Sequence, residues 1–371
     1  MDRISAQEAW ELLFKKYNII NEVDKKGYFK ISAKQIKEYK EPRLMAKWDS
    51  SESLPKVFYK NKINILPDSR SSYILSDFKL YEGIPVLSEQ VTTMQKVEIQ
   101  EYESINTKNI TTEANAINVL VLSNILDDFL GEGGNVLTFN GRMGTGKFKF
   151  NVDRYRGTPI NVSVNGAQCE IDGGFENDNS VVILEAKNIV YPDFHIRQLY
   201  YPYRLWKGKV KKSIRNVFMI YSNQIYRMFE YEFQELENYS SIKLVKKKNY
   251  SLEDTKINME ELYKTYLNTK IKYDDNQENT DIPFIQADSF ERIISLMEML
   301  AKEAKTTNQI SEIMQIDPRQ ADYYYNAGRY LGIFKKYKSK DAVVRVRLTV
   351  KGRRIYNLNY KERQLALVEQ I

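Results

Sequence analysis

The segment that most restricts the fold of this chain is 168–188, which reads QCEIDGGFENDNSVVILEAKN. Its four consecutive apolar residues, Val181–Leu184, are typical of a buried strand, and the polar, glycine-containing stretch before them is typical of a hairpin turn. The strand ends with Glu185, Ala186 and Lys187. Because side chains alternate along a strand, Glu185 and Lys187 lie on one face and Ala186 on the other. The sequence therefore predicts a sheet in which a buried strand ends in a carboxylate and an amine.

Helix-like and strand-like segments lie on both sides of this hairpin. Apolar side chains recur at helical spacing over Thr112–Gly131, where Thr112 or Thr111 would cap the helix and Gly131 would end it. A second helix is predicted over about 194–206. The strand-like segments before it are NVLTFN, KFKFNV, INVSV, QCEID and SVVILEA, with GRMGTG as a further hairpin turn, and VFMIYS and IYRMFEYEF follow it. This order predicts an α/β (α+β) chain with a mixed sheet flanked by helices.

A second carboxylate, Asp172, ends the strand before the turn, so the hairpin brings it close to Glu185 and Lys187. Phosphodiester hydrolysis uses such a set, because two carboxylates hold a hard cation such as Mg²⁺, which polarises the phosphate and activates a water. We therefore predict Asp172, Glu185 and the backbone carbonyl of Ala186 as Mg²⁺ ligands. Lys187 is predicted as a catalytic residue that stabilises developing charge or positions the water. The competing interpretation is a surface hairpin with a salt bridge.

The Glu-x-Lys pattern is weak by itself, since it also occurs at 38–40 and 303–305. Those two copies lie in charged, helix-like surroundings, where a glutamate and a lysine form a solvated face. Only the copy at 185–187 closes an apolar strand, and a charged pair at the end of a buried strand is costly. This context favours a functional interpretation of 185–187.

Residues 141–147 read GRMGTGK and fit the GxxxxGK pattern of a phosphate-binding loop. Phe148 stands where that loop carries a Mg²⁺-binding Ser or Thr, and the following residues alternate like a strand. Without a helix N-terminus there is no phosphate cradle, so we interpret the segment as a hairpin. Arg142 and Lys147 at its tip are predicted to contact a DNA backbone.

Two residue counts exclude several kinds of site. The chain has one cysteine, Cys169, and one histidine, His195. An internal disulfide and zinc sites built on several cysteines are therefore excluded, as are histidine-rich metal sites, HNH-type nuclease sites and HExxH proteases. His195 is interpreted as an ordinary polar residue at the start of the second helix.

The positive charge is concentrated at the C-terminal end of the chain. The whole chain has a net charge of +7, and 290–371 carry 16 Lys/Arg against 9 Asp/Glu, so the remainder is neutral. A basic terminal module is typical of a protein that binds a polyanion, most often nucleic acid. The alternative is a solvated charged face on an ordinary domain.

The residues Asp172, Glu185 and Lys187, in the order helix, strands, helix and strand, resemble the PD-(D/E)xK nuclease superfamily. The resemblance covers about 111–232 and implies a metal-dependent nuclease core. Ile171 stands where many members of that superfamily carry a proline. The resemblance therefore implies the same Mg²⁺ site that the residue types predict.

The same resemblance implies roles for two residues on the flanking helices. Gln198, on the helix after the Glu-x-Lys strand, would lie near the scissile phosphate. Glu113, at the start of the first helix, would add a further acid. Tyr201 on the same helix is a candidate for stacking, and packing in the core and at its rim is the alternative for this tyrosine and its neighbours Tyr200 and Tyr203.

The C-terminal segment resembles a winged helix-turn-helix. TNQISEIMQIDPRQADYYYNAGRYLGIF fits the helix-turn-helix, and LTVKGRRIY follows two short strands around a basic turn. The resemblance implies that the third helix enters the major groove of DNA and that the hairpin contacts phosphates. A winged helix used for protein contact is the alternative. The implied DNA contacts are Arg319, Gln320, Tyr323 and Asn326 on the helix, with Tyr324 and Arg329 as further candidates, and Lys336, Lys338 and Lys340 on the hairpin.

A nuclease core joined to a DNA-reading module resembles a type II restriction endonuclease. The domains are predicted as an N-terminal α+β region that shares in DNA recognition, a nuclease core, a helical linker and a winged-helix domain, at 1–105, 106–240, 241–285 and 286–371. The resemblance implies Mg²⁺-dependent cleavage of double-stranded DNA at a specific site by a homodimer, in a restriction-modification pair with a cognate DNA methyltransferase.

Two other functions remain open at this point. One is a PD-(D/E)xK nuclease that acts on methylated DNA or in repair, and the other is a non-enzymatic DNA-binding regulator. The sequence has no apolar run of 18 or more residues and no signal-peptide layout. We therefore expect a protein of the prokaryotic cytoplasm without a membrane partner.

Overall fold

The computed structural model shows a mixed α+β protein whose central sheet has both parallel and antiparallel strands. None of the helices within the described residues has both the length and the apolar character of a bilayer-crossing segment. Within the predicted helical linker 241–285, residues 270–284, which include the acidic stretch at 273–283, lie outside the residues that the structure describes. The structure describes residues 4–85, 92–93, 102–107, 109–269 and 285–371.

Helices dominate the two ends of the chain and strands its middle. The α-helices are α1 (Ala6–Lys16), α2 (Ile19–Lys26), α3 (Ala33–Lys37), α4 (Lys56–Asn61), α5 (Glu113–Leu122), α6 (Ile125–Leu130), α7 (Arg197–Lys207), α8 (Met259–Asn268), α9 (Phe290–Lys302), α10 (Thr307–Met314), α11 (Pro318–Tyr330), α12 (Val350–Tyr356) and α13 (Tyr360–Val368). The strands are β1 (Phe29–Ser32), β2 (Asn64–Pro67), β3 (Ser72–Ser76), β4 (Tyr81–Gly83), β5 (Thr92–Thr93), β6 (Val136–Gly144), β7 (Lys147–Val152), β8 (Ile160–Asn165), β9 (Gln168–Glu176), β10 (Ser180–Lys187), β11 (Asp193–His195), β12 (Ser213–Ser222), β13 (Ile225–Phe233), β14 (Ile242–Ser251), β15 (Phe334–Lys338) and β16 (Val344–Leu348). Short 3₁₀ helices lie at Pro42–Leu44, Ser51–Ser53 and Tyr239–Ser241.

Seven strands form the central sheet, in the order β5-β14-β13-β12-β10-β9-β6. Strand β10 runs parallel to β12 and antiparallel to β9. Parallel neighbours need a crossover connection, which α7 supplies between β10 and β12. The predicted α+β class and mixed sheet are confirmed.

Helices cover both faces of the central sheet. On one face, Leu199 and Tyr200 of α7 pack with Phe218 of β12. On the other, α5 and α6 pack against side chains that include Val217. Seven of the eight residues of β10 are buried, which explains why its sequence is a continuous apolar run rather than an alternating one. This burial fixes the strand that carries Glu185.

The single helix predicted over Thr112–Gly131 is wrong, because the segment forms α5 and α6. Thr112 caps α5 by accepting a hydrogen bond from the amide of Asn115 at 3.1 Å, and Gly131 ends α6 with φ of 70°, both as predicted. Between the helices, Asn124 adopts a left-handed conformation with φ of 55°. Asparagine tolerates this conformation better than most residues, and the change of backbone direction interrupts the helix.

Two further local predictions are wrong. GRMGTG does not turn a hairpin, since β6 extends through Gly144 and pairs with β9, while β7 pairs with β8. In the predicted helical linker 241–285, the helix starts only at Met259, because 242–251 forms β14 of the central sheet. The segment predicted as a helical linker, 241–285, therefore begins with a strand. As expected, Lys147 begins a strand rather than a helix.

The N-terminal region has a core of its own. Trp10 contacts the rings of Phe14, Trp48 and Phe58 at centroid distances between 4.8 and 6.1 Å. These side chains hold α1 and α4 against the three-stranded sheet β1-β3-β2. The segment that follows Trp48 is thereby anchored at its start.

The C-terminal elements follow one another as predicted, with three helices, a two-stranded hairpin and a helix, to which α13 is added. Their shared core also contains Ile189 and Tyr191, from the loop after β10. The hydroxyl of Tyr191 donates to the carbonyl of Ile313 at 3.0 Å. The loop that directly follows Lys187 is therefore packed into the C-terminal module.

Candidate active site

The β9–β10 hairpin brings Asp172, Glu185 and Lys187 together. Asp172 Oδ2 accepts a hydrogen bond from the amide of Ala186 at 2.9 Å. Lys187 Nζ donates to Glu185 Oε1 at 2.6 Å. The arrangement follows from the alternation of a strand, which turns Glu185 and Lys187 to the same face.

Burial and charge set the protonation of this cluster. Burial raises the pKa of Glu185 to about 8, and Lys187 offsets this only in part. Burial alone would lower the pKa of Lys187, but four carboxylates raise it well above its usual value, so the amine is an ammonium. Those carboxylates are Glu185, Asp49, Glu113 and Asp172.

The helices α5 and α7 carry the two further residues implied for this site, Glu113 and Gln198. Gln198, in the first turn of α7, donates from Nε2 to Glu185 Oε1 at 2.5 Å. Glu113, the first residue of α5, accepts a hydrogen bond from the backbone of Asn188. Burial raises the pKa of Glu113, with Lys187 opposing this. The structure therefore places both side chains beside the Glu185–Lys187 pair.

Asp49, which the sequence analysis did not identify, belongs to the same cluster. Its Oδ2 lies 3.6 Å from Lys187 Nζ, and the two side chains are only 13% and 12% exposed. Burial would raise the pKa of Asp49, but Lys187, Lys47 and Arg197 outweigh burial and lower it. No local pattern marks Asp49, because its contact with Lys187 joins residues far apart in the sequence.

The sole histidine has a structural role. His195 is buried on β11, two residues before α7 begins, rather than at the start of the helix. Its amide donates to the carbonyl of Asp49 at 2.9 Å, and its Nδ1 accepts from the amide of Arg197 at 3.2 Å. Burial, reinforced by Arg197, lowers the pKa of His195 to about 3, so the ring is neutral.

Asp172, Glu185 and Lys187 line an open cleft of about 770 Å³. The N-terminal region and the central part of the chain both contribute basic side chains to it. The same lining carries five acidic side chains, so groups that can contact a phosphate backbone lie beside carboxylates that can hold a cation. The basic residues around the acidic centre are Arg43, Lys47, Arg70, Arg142 and Arg197.

The two predicted backbone contacts at 141–147 are separated by the structure. Arg142 lines the cleft, where its Nε lies 3.4 Å from Glu170 Oε1, and it is 64% exposed. Lys147 is exposed at the start of β7 but does not line the cleft. Only Arg142 is therefore placed beside the acidic centre.

The donor set at the end of β10 fits Mg²⁺. Hydrogen bonds engage Asp172 Oδ2 and Glu185 Oε1, which leaves the second oxygen of each carboxylate for a cation. Within the described residues, no group of three or more His, Cys, Asp or Glu side chains has the arrangement of a metal site. Mg²⁺ commonly takes one or two protein carboxylates and completes its coordination with water and substrate phosphate. Gln198 Oε1, buried without a partner in the described structure, adds an acceptor for water beside Glu185.

Most of the implied DNA contacts on α11 are at the surface. Arg319 and Gln320 are exposed, and Tyr323 and Asn326 are partly exposed. The candidate Tyr324 is wrong, because its ring is buried and its hydroxyl donates to an aspartate before α9 at 2.5 Å. The accessible candidates therefore lie at the N-terminal end and along one side of α11.

The implied phosphate contacts on the β15–β16 hairpin are all exposed. Lys336 is held by Asp322 of α11 at 2.9 Å and lies 4.4 Å from the centre of the Tyr325 ring. Lys338 and Lys340 are exposed near the tip of the hairpin. The two lysines near the tip are thus the ones most open to a ligand.

Three family models match the chain, and each is described as a domain of unknown function. They are DUF6996 over 7–75, DUF6997 over 76–251 and DUF7226 over 292–371. No curated protein and no solved structure matches the chain. These matches bring no activity to the chain, so its function is argued from the site.

Proposed function

We propose that this protein is a Mg²⁺-dependent endonuclease of the PD-(D/E)xK superfamily that cuts double-stranded DNA at a specific site, as type II restriction endonucleases do. The observation that carries the proposal is the convergence of Asp172, Glu185 and Lys187 in a cleft whose lining also carries basic side chains. The chain order α5, β6, β9, β10, α7 and β12 agrees with the helix–strands–helix–strand order of that superfamily. This order supports a nuclease core around the site.

Each residue of the site has a distinct part in the proposed reaction. Asp172 and Glu185 would hold Mg²⁺, with the Ala186 carbonyl as a further ligand. When bound, Mg²⁺ polarises the phosphate and lowers the pKa of an attacking water. Lys187, an ammonium among carboxylates, stabilises the negative charge that develops on the phosphate. Gln198 fixes the carboxylate of Glu185 through its amide.

Double-stranded DNA is the substrate that best suits the rest of the molecule. The basic side chains of the cleft come from the N-terminal region and from the central part of the chain, so the backbone would be contacted from two sides. The C-terminal module, as a winged helix, would place α11 in the major groove. Arg319 suits guanine there, while Gln320 and Asn326 suit adenine.

The same proposal includes two partners. Each active site of this kind cuts one strand, so cleavage of both strands is expected from a homodimer. A nuclease that cuts at a short site would also cut the DNA of its own cell. We therefore expect a cognate DNA methyltransferase that modifies the site.

The experiment that tests the proposal compares Lys187→Ala with a matched control. Lys40→Ala is the control, because Lys40 ends another Glu-x-Lys sequence and donates instead to a backbone carbonyl in the N-terminal region at 3.2 Å. We expect Mg²⁺-dependent cleavage of phage DNA by the wild type and by Lys40→Ala. Lys187→Ala should cut at least about 100-fold more slowly while binding DNA with unchanged affinity.

Full cleavage by Lys187→Ala would overturn the assignment of the site. Comparing DNA with and without methylation separates a restriction enzyme that spares modified DNA from a nuclease that requires modification. Equal salt-dependent DNA binding by all three proteins, without cleavage by any, would indicate a non-enzymatic regulator.

A further inference from the structure

The N-terminal region contributes a carboxylate to the candidate active site. Asp49 Oδ2 lies 3.6 Å from Lys187 Nζ, which also contacts Glu185 Oε1 at 2.6 Å. Both ends of the Lys187–Asp49 pair are nearly buried. The ammonium of Lys187 therefore contacts two carboxyl groups from different parts of the chain.

A lysine in this position needs a second partner. The lysine side chain is flexible and ends in a compact positive charge. With Glu185 as its only partner, the ammonium would bind the same carboxylate that the proposed Mg²⁺ site uses. A cation on Glu185 would repel the ammonium of Lys187. Asp49 offsets that repulsion, because its carboxylate attracts the ammonium at 3.6 Å.

The backbone of Asp49 is fixed on both sides. Trp48 is buried in the N-terminal core, and the carbonyl of Asp49 accepts from the amide of His195 at 2.9 Å. The hydroxyl of Ser50 and the amide of Ser51 both donate to Asp193 Oδ1 at 2.8 Å. These contacts tie Asp49 to the strand that leads into α7 and Gln198.

The same segment is also held by the C-terminal module. The amide of Ser50 donates to Gln315 Oε1 at 2.9 Å, in the turn between α10 and α11. Glu52 pairs with Arg292 of α9 at 2.8 Å, and Lys56 pairs with Asp317, the cap of α11, at 3.2 Å. The position of Asp49 therefore depends on all three parts of the chain.

We propose that Asp49 is a positioning residue for Lys187, and that the active site is complete only when the N-terminal region and the C-terminal module are both docked on the nuclease core. This inference rests on the proposed function, since it assigns Asp49 a part in the same hydrolysis. Asp49 acts through Lys187 and does not touch the reacting phosphate.

The first test separates the rate of cleavage from DNA binding. Asp49→Asn removes the charge with little change of shape, and Asp49→Glu restores the charge. Asp178→Asn is the control, because Asp178 is exposed in the turn at the other end of β10. We expect Asp49→Asn to slow single-turnover cleavage at saturating DNA by about 10- to 100-fold, with unchanged DNA affinity and melting temperature. Asp49→Glu should recover part of the rate.

A substitution away from Lys187 tests whether the active site depends on docking of the C-terminal module. Gln315→Ala removes the acceptor of the Ser50 amide without touching Lys187 or its carboxylates. We expect it to slow cleavage in the same direction as Asp49→Asn, at unchanged DNA affinity. Wild-type cleavage by Gln315→Ala would overturn the dependence on the C-terminal module.

The second readout does not require activity. In the metal-free protein, the contact with Asp49 restricts the amine of Lys187, so acylation by a water-soluble succinimidyl ester, followed by mass spectrometry, reports its accessibility. We expect labelling of Lys187 to rise several-fold in Asp49→Asn and to stay at the wild-type level in Asp178→Asn.

The two readouts distinguish the possible failures. A wild-type protein that cuts no DNA would overturn the proposed function, whereas labelling of Lys187 would still report its contact with Asp49. In a protein that does cut DNA, unchanged labelling and unchanged cleavage by Asp49→Asn would overturn the positioning role. The positioning role would also be overturned if the slower cleavage by Asp49→Asn were fully explained by a smaller fraction of folded protein.

Discussion

The surroundings of Glu185 disfavour the charged form of its carboxyl group. It is buried at the end of β10, and this burial raises its pKa to about 8. Such a group binds a cation only after losing its proton, so a proton and Mg²⁺ compete for it. Binding of Mg²⁺ at the proposed site would therefore be linked to pH.

We expect the affinity of the protein for Mg²⁺ to rise with pH below about 8, by up to about tenfold per pH unit, and to level off above it. The reason is that a smaller fraction of Glu185 is protonated as the pH approaches its pKa. Isothermal titration calorimetry at several pH values measures this dependence. Glu185→Gln has no carboxylate to titrate and should bind Mg²⁺ weakly throughout. A wild-type affinity that does not change with pH would contradict the role of Glu185.

His195 provides a second pH-dependent quantity, because it is the sole histidine of the chain. Its pKa is lowered from 6.5 to about 3, so below about pH 6.5 the unfolded chain binds a proton that the folded protein does not. The group therefore stabilises the fold above its unfolded pKa, and this contribution is lost as the pH falls towards the folded pKa.

The matched comparison is between the wild type and His195→Gln. As the pH falls from about 6.5 to 5, the wild type should lose roughly 1.4 kcal/mol of unfolding free energy per pH unit relative to the variant. Urea unfolding of both proteins at each pH measures the difference. A constant difference over this range would show that His195 is not held neutral in the folded protein.

At the scale of secondary structure, the β9–β10 hairpin was predictable from the sequence because its signals are local. An apolar run, a polar turn and the alternation of side chains within 168–188 place Glu185 and Lys187 on one face. The order of helices and strands in the C-terminal module was predictable for the same reason. Caps such as Thr306 and Asp317 mark where α10 and α11 begin.

The pairing of strands was less predictable, because it depends on contacts between distant residues. Strands β6 and β7 are neighbours in sequence, yet β6 pairs with β9 and β7 with β8. The sequence predicts no strand at β14, although its residues alternate in burial over 242–248, because its many lysines obscure this period-two signal. Asp49 was missed because nothing near it in sequence reflects its contact with Lys187.

Within the C-terminal module, α11 approaches the hairpin closely at Gly328. A Cβ atom added there would lie 1.9 Å from the ring of Phe334. We expect Gly328→Ala to destabilise the protein by about 1–3 kcal/mol, although alanine favours helices. Gly208→Ala is the control, since the nearest atom there is 3.9 Å away. Thermal unfolding measures both variants, and equal stability of Gly328→Ala and the wild type would contradict the packing.

At the scale of the whole molecule, the excess positive charge lies apart in sequence from the carboxylates of the candidate active site. Residues 290–371 carry a net charge equal to the +7 of the whole chain. The cleft receives basic residues from other parts of the chain. DNA bound to both surfaces would therefore release counterions at each of them.

Substitution of the hairpin lysines tests whether the C-terminal module makes phosphate contacts of its own. Lys338→Ala and Lys340→Ala should each lower the slope of log affinity against log salt by about 1, for any DNA sequence. Lys336→Ala should have a smaller effect, because its ammonium is held by Asp322. Fluorescence anisotropy with a labelled duplex at several salt concentrations measures the slopes. Unchanged slopes for the two lysines near the tip would indicate that the hairpin does not contact phosphates.

The most direct measurement for the molecule as a whole is cleavage of phage and plasmid DNA, methylated and unmethylated, by the purified protein in Mg²⁺ and in EDTA. The convergence of Asp172, Glu185 and Lys187 in a cleft with both acidic and basic side chains predicts discrete fragments in Mg²⁺ and none in EDTA, with unmethylated DNA as the substrate. Intact DNA of every kind in Mg²⁺, despite tight binding, would contradict the assignment of a nuclease.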